Sequence, residues 1–98
     1  MTINKTLDGT KLTVALEGRL DTMTAPELDK EFHESLDGVT ALVVDLTNLE
    51  YVSSAGLRVL LSAQKTMNKQ GSMTVKNVNE QIMEVFEVTG FTDILTIE

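Results

Sequence analysis

The chain has no cysteine, no tryptophan, and only one tyrosine, one proline and one histidine among its 98 residues. Without thiols there are no disulfides and no thiolate metal sites. A lone His33 is a poor basis for a histidine-rich metal site or a Ser-His-Asp triad. Hydrophobic residues make up 42% of the chain but aromatics only 4%, so any core must be aliphatic. Cations are scarce as well: 8 Lys and Arg stand against 15 Asp and Glu, giving a formal net charge of −7. Such a balance argues against nucleic acid and against an anionic membrane surface, both of which need clustered cations. Taken over the whole chain, it favours a partner that presents basic residues. No stretch approaches the ~18 apolar residues of a membrane helix, and no basic segment followed by an apolar one opens the chain. The expectation is one soluble cytoplasmic domain spanning residues 1–98.

Elements follow from the periodicities that are present. Thr2 to Leu7 alternates, as do Leu12, Val14 and Leu16, and the Asp8-Gly9 pair between them predicts a β-hairpin with the turn on those two residues. Thr24-Ala25-Pro26-Glu27 opens a helix: Thr24 is expected to cap it, Glu27 to close a capping box, and Pro26 to sit harmlessly in the first turn. Ala25, Leu28, Phe32 and Leu36 form its apolar stripe, and Asp37-Gly38 ends it. Ala41 to Val44 reads as a strand covered on both faces, passing through Asp45-Leu46 into a polar turn over Thr47 to Ser54. A second helix runs from about Ser54 to Gln70 with Leu57, Leu60, Leu61 and Met67 inward, and Gly71 stops it. Met73 to Val78 suits a strand. Asn79 caps a third helix with Ile82, Val85 and Phe86 inward, and Gly90-Phe91 fits a C′ glycine with an apolar contact after it. Asp93 to Glu98 adds a last short strand or helix. The order β-β-α-β-α-β-α implies an α/β fold, a mixed and mostly parallel sheet with helices packed on it.

Chemistry concentrates in Ser53-Ser54-Ala55-Gly56 at the start of the second helix. A serine there is either a plain N-cap or a place to add and remove a phosphate, since free N–H groups and the helix dipole favour an anion. Gly56 costs up to ~1 kcal/mol relative to alanine in a helix, so either a neighbouring loop or a partner comes close to the backbone. Asp21 and Asp45 are either a carboxylate pair flanking the serines or turn residues bonded to their own backbone. Arg58 is either solvated or in contact with a partner or a phosphate. His33, beside Phe32, belongs at a surface edge. No G-x-x-x-x-G-K run is present, and acids without a basic partner do not make a catalytic site. The chain is therefore read as a binding protein, not an enzyme, with no cofactor and no metal.

Asp45-Leu-Thr-Asn-Leu-Glu-Tyr-Val-Ser-Ser-Ala-Gly-Leu57 resembles the signature of STAS domains, in particular the small bacterial anti-sigma factor antagonists. Gly18-Arg19-Leu20-Asp21 with Ala25 and Leu28, and Val88-Thr89-Gly90-Phe91, are similar to the same family, so the likeness spans essentially the whole chain. The resemblance implies a partner-switching phosphoprotein that controls transcription indirectly. The unphosphorylated antagonist binds an anti-sigma factor that is also a serine kinase, phosphorylation by that kinase releases it, and a serine phosphatase restores it. On this likeness the phosphoacceptor falls on Ser54, with Asp21 and Asp45 on acidic positions beside the acceptor loop. The partner-binding set is then Asp21, Asp45, Tyr51, Ser53, Ala55, Gly56 and Arg58 in a monomer or weak dimer. Two positions depart from the family pattern. Ser53 stands where an acidic residue is frequent, and Ala55 where Ser or Thr is frequent. The alternative is a constitutive STAS interaction module or a small-ligand-binding module in a signalling or transport assembly.

Overall fold

In the computed structural model, which describes residues 1–98, strands β1 (Thr2–Asp8) and β2 (Lys11–Leu20) form the antiparallel hairpin. Its turn lies one residue later than the sequence predicts: Asp8 still pairs with Lys11, and Gly9-Thr10 make the corner. Only Gly9 takes a positive φ, +62°, so a single position needs the freedom of glycine, as in turns with glycine first. Helix α1 (Ala25–Ser35) then leads to β3 (Ala41–Val52), α2 (Ser54–Gln70), β4 (Ser72–Lys76) and α3 (Glu80–Thr89). A short 3₁₀ turn at Phe91–Asp93 follows, and Ile97 bridges in parallel to Val75. The last segment is therefore a turn and a strand-like bridge. The sheet order is β1-β2-β3-β4, with β3 parallel to both β2 and β4. This is the mixed, mostly parallel α/β arrangement expected from the element order.

The strands are covered on one face only. Leu12, Val14 and Leu16, Leu42, Val44 and Leu46, and Met73 and Val75 point inward and are buried. The intervening Thr13, Ala15, Val43 and Thr74 remain half-exposed on the open side. The expectation of a β3 buried on both faces fails here, because all three helices contribute to a single core. Leu28 and Phe32 from α1, Leu57, Leu60 and Met67 from α2, and Ile82 and Phe86 from α3 join the inward strand residues in that one cluster. Val85, also expected inward, packs half-buried against this cluster, whereas Leu61, expected inward too, is half-exposed and lies outside it.

Strand β3 is also longer than predicted. Thr47 to Val52 continues as strand, paired with the second half of β2. Two register irregularities, between Ala15 and Glu17 and between Gly18 and Arg19, each give β3 one residue more than β2. These bulges reset the phase of the strand, so the buried residues run Leu46, Leu49, Val52 at spacing three. A strand that abandons period two reads as a turn in sequence. Pairing with β4 stops at Asp45↔Lys76, and Asn79 Nδ2 then donates to the Leu49 carbonyl at 3.0 Å. The same side chain caps α3, its Oδ1 accepting the Ile82 N–H at 2.8 Å.

Both ends of α2 are set by close backbone approach. A Cβ on Gly56 would lie 2.6 Å from Leu20 Cγ and 3.1 Å from the Leu20 carbonyl oxygen. At the other end, a Cβ on Gly71 would overlap the Thr40 carbonyl, against which Ser72 N–H also bonds at 3.0 Å. Gln70 Nε2 donates to the Leu36 and Val39 carbonyls, both at 2.6 Å, fixing the helix end to the loop after α1. Gly90 ends α3 at φ +80°, and Phe91 packs on Phe86 with ring centroids 6.5 Å apart, as the C′-glycine pattern predicts.

Candidate functional site

The carboxyl ends of β2 and β3 lie side by side, Arg19 opposite Tyr51 and Leu20 opposite Val52, and Ser53 N–H donates to the Leu20 carbonyl at 2.8 Å. The serine step therefore leaves the sheet beside the loop that begins with Asp21. Two chain segments distant in sequence form one surface.

Within this surface the two serines are not equivalent. Ser53 is the N-cap: its backbone is extended (φ −96°, ψ 173°), its Oγ accepts the Gly56 N–H at 3.3 Å, and its carbonyl accepts the Leu57 N–H at 2.9 Å. Ser54 is the first helical residue, exposed, with no side-chain hydrogen bond. Capping, which either serine could have supplied, thus falls to Ser53. Ala55 is half-buried beside it. Gly56 is buried, and the group that crowds its backbone is Leu20. Arg58 is exposed one turn on and makes no ion pair.

Asp21 organises the neighbouring loop. Its Oδ1 accepts the N–H groups of Met23 (3.0 Å) and Thr24 (3.1 Å) and the Thr24 hydroxyl (3.2 Å), while the Ala25 N–H donates to its carbonyl at 2.8 Å. The Thr24 N–H, first among these, holds the carboxyl below the usual carboxylate range. The capping box expected of Thr24 and Glu27 does not form. Thr24 adopts a helical backbone (φ −98°, ψ −20°), and its hydroxyl turns back to the Arg19 carbonyl at 2.8 Å. Asp21 closes this end of α1 in its place.

Arg19 is the residue that sequence reasoning left outside the site. Its guanidinium carbon lies 4.3 Å from the centre of the Tyr51 ring and its Nε 3.9 Å from Asp21 Oδ2, linking the two segments. The signal lay in its place within Gly18-Arg19-Leu20-Asp21, but only strand pairing sets it against Tyr51. Tyr51, at the end of β3, keeps 41% of its surface open and Met23, in the Asp21 loop, 85%, so both segments of this surface carry an exposed apolar group.

Asp45 stands apart from this cluster. Its Oδ1 accepts from Asn77 Nδ2 (3.0 Å), the Thr47 hydroxyl (2.6 Å) and the Thr47 N–H (3.0 Å). Those bonds, Asn77 foremost, lower its pKa, and Lys76 adds to the effect. The whole bulged half of β3 separates it from Ser53, so Asp21 and Asp45 do not form a pair. His33 is exposed on α1, its Nδ1 2.8 Å from the Asp29 carbonyl oxygen. It borders a groove of about 210 Å³ between α1 and the far half of α2, away from Ser54. No group of three or more His, Asp or Glu gathers as a metal site, and no helix is long and apolar enough to cross a membrane.

A four-stranded mixed sheet with three helices on one face, and a capped serine step where two strand ends meet, places the chain in a class. The family model described as Mlab, STAS domain matches residues 3–96. The chain belongs to the STAS-domain family of anti-sigma factor antagonists. It is 35% identical over 99 residues to BtrV of Bordetella bronchiseptica, covering 99% of this chain and 84% of that protein. It is 31% identical over 85 residues to the anti-sigma-B factor antagonist of Bacillus subtilis, covering 86% and 78%. The crystal structure of an anti-sigma factor antagonist from Mycobacterium paratuberculosis superposes with a TM-score of 0.88 at 24% identity, covering 98% of this chain and 83% of that one. The phosphorylated form of the Bacillus cell fate determinant SpoIIAA shares the fold, with a TM-score of 0.77 at 15% identity over 99% and 91% of the two chains.

Proposed function

We propose that this protein is a cytoplasmic anti-sigma factor antagonist, not an enzyme, that binds an anti-sigma factor with serine kinase activity and is released when that kinase phosphorylates Ser54. A serine phosphatase resets it. The observation that carries this reading is the division of labour between the serines: Ser53 caps α2, which leaves the Ser54 hydroxyl exposed and without a partner. A kinase reaches it without disturbing the helix cap. The partner surface comprises Asp21, Tyr51, Ser53, Ser54, Ala55 and Arg58, joined by Arg19. Gly56 contributes by letting Leu20 seat the helix, and Asp45 by holding the start of the bulged half of β3.

The switch works by charge. A phosphate adds about −1.5 to −2 near neutral pH. At the amino end of a helix that charge is stabilised by roughly 0.3–1 kcal/mol, so the fold tolerates it. Buried unpaired in an interface, the same charge costs several kcal/mol, so binding is lost. Phosphopeptide mass spectrometry after incubation with Mg-ATP and an active lysate of the native source tests this. Modification confined to Ser54, and absent from Ser54→Ala, is the expected result. No phosphate, or phosphate on Ser53 alone, overturns the switch and favours a constitutive interaction or small-ligand module.

A further inference from the structure

Helix α2 carries Arg58, Lys65 and Lys69 and no acidic residue, in a chain whose net charge is −7. All three cations are exposed and none makes an ion pair. Elsewhere the pattern is the reverse: Lys5, Arg19, Lys30 and Lys76 each lie within 4.0 Å of a carboxylate, and only Lys11 does not. Where carboxylates outnumber cations almost two to one, a helix whose cations are all unpaired is an electrostatic exception. At 3.6 residues per turn, positions 58, 65 and 69 fall within roughly 40° of one another around the helix axis. They therefore form one outward line about 16 Å long, with Ser54 one turn before its start. Side chains of the core occupy the opposite side of the helix.

From this charge arrangement we infer that the outward face of α2 is a docking surface for an acidic segment of a protein partner, one presenting a row of carboxylates to Arg58, Lys65 and Lys69. The inference goes beyond the proposed switch and does not require phosphorylation of Ser54. It reverses, for this face, what the net charge implies. The summed field of the chain favours a basic partner, but at physiological ionic strength a contact senses charges only within about 8–10 Å. Along this line of α2 every charged side chain is a cation, and the acidic residues Asp29 and Asp37 border the groove on its α1 flank.

The test is a titration of the ¹⁵N-labelled protein with an amphipathic helical peptide of about 16 residues carrying glutamates along one face. The same peptide with lysines replacing the glutamates, and a single-stranded oligonucleotide, serve as competitors. Binding of the glutamate peptide should move amide signals of residues 54–70. It should weaken about tenfold or more in the double variant Lys65→Glu, Lys69→Glu and with rising salt, and stay unchanged in Lys11→Glu. Because all three positions are exposed, the variants remain folded, which their unchanged core amide signals verify. Shifts confined to other elements, equal binding by the double variant, tighter binding of the lysine peptide, or preferential binding of the oligonucleotide to α2 would each overturn the inference.

Discussion

At the scale of single residues, adjacent serines carry different duties, and stability separates them. Ser53→Ala removes the acceptor for the Gly56 N–H and should cost about 1 kcal/mol in urea unfolding. Ser54→Ala removes an exposed hydroxyl without a partner and should stay within about 0.5 kcal/mol of the parent. Ser54→Asp should likewise remain folded while losing the anti-sigma partner, as a co-purification assay would show. A Ser54→Asp variant that binds as tightly as the parent would remove the basis of the switch. Sequence reasoning located both serines and Asp21 but could not divide the capping role between neighbours, because that depends on which hydroxyl the final turn of backbone aims at Gly56. Arg19 was missed for a related reason: a cation stacked on a tyrosine 32 residues later in the chain is a contact made by strand register.

At the scale of elements, α2 is held between two close approaches, and its glycines differ in what a methyl group would meet. Gly56→Ala gains up to ~1 kcal/mol of helix propensity but drives Cβ against Leu20, so a net loss of roughly 1–3 kcal/mol is expected. Gly71→Ala meets backbone that cannot rotate away, and it should be the more destabilising of the two. Denaturant midpoints measured on both variants would check the order, and an equal or reversed ranking would contradict the geometry. The bounds of α2 were legible because caps, apolar spacing and glycine stop agree in the sequence. The continuation of β3 was not. Two bulges place Leu46, Leu49 and Val52 at spacing three, a pattern neither strand nor helix periodicity recognises.

For the whole molecule, acid stability follows from two carboxylates engaged by hydrogen bonds. Asp21 and Asp45 have folded pKa values below the ordinary 3.8, so each favours the folded state once the unfolded chain would also be ionised. Their contribution is present at neutral pH and is lost as pH falls from about 4 toward the lowered folded values. Thermal midpoints across that window should fall in the parent. They should fall less steeply in Asp45→Asn, which begins from a lower stability at neutral pH because Thr47 and Asn77 lose a charged acceptor. A parent whose midpoint does not change with pH there would contradict the hydrogen-bond account.

The sequence by itself determined the element order, the aliphatic core, the caps at Asn79 and Gly90, and the serine step that carries the family likeness. Each of these depends on residues near one another in the chain, where propensity, periodicity and capping act directly. Tertiary structure alone decided the single covered face of the sheet, the bulges of β3, the separation of Asp45 from Asp21, and the joining of Arg19 to Tyr51 beside Ser54. The first depends on all three helices packing into a single core, and the others on how β3 registers against β2 and β4. Register is settled by the sum of core packing and ladder bonds across the sheet, and no local stretch of sequence contains that sum.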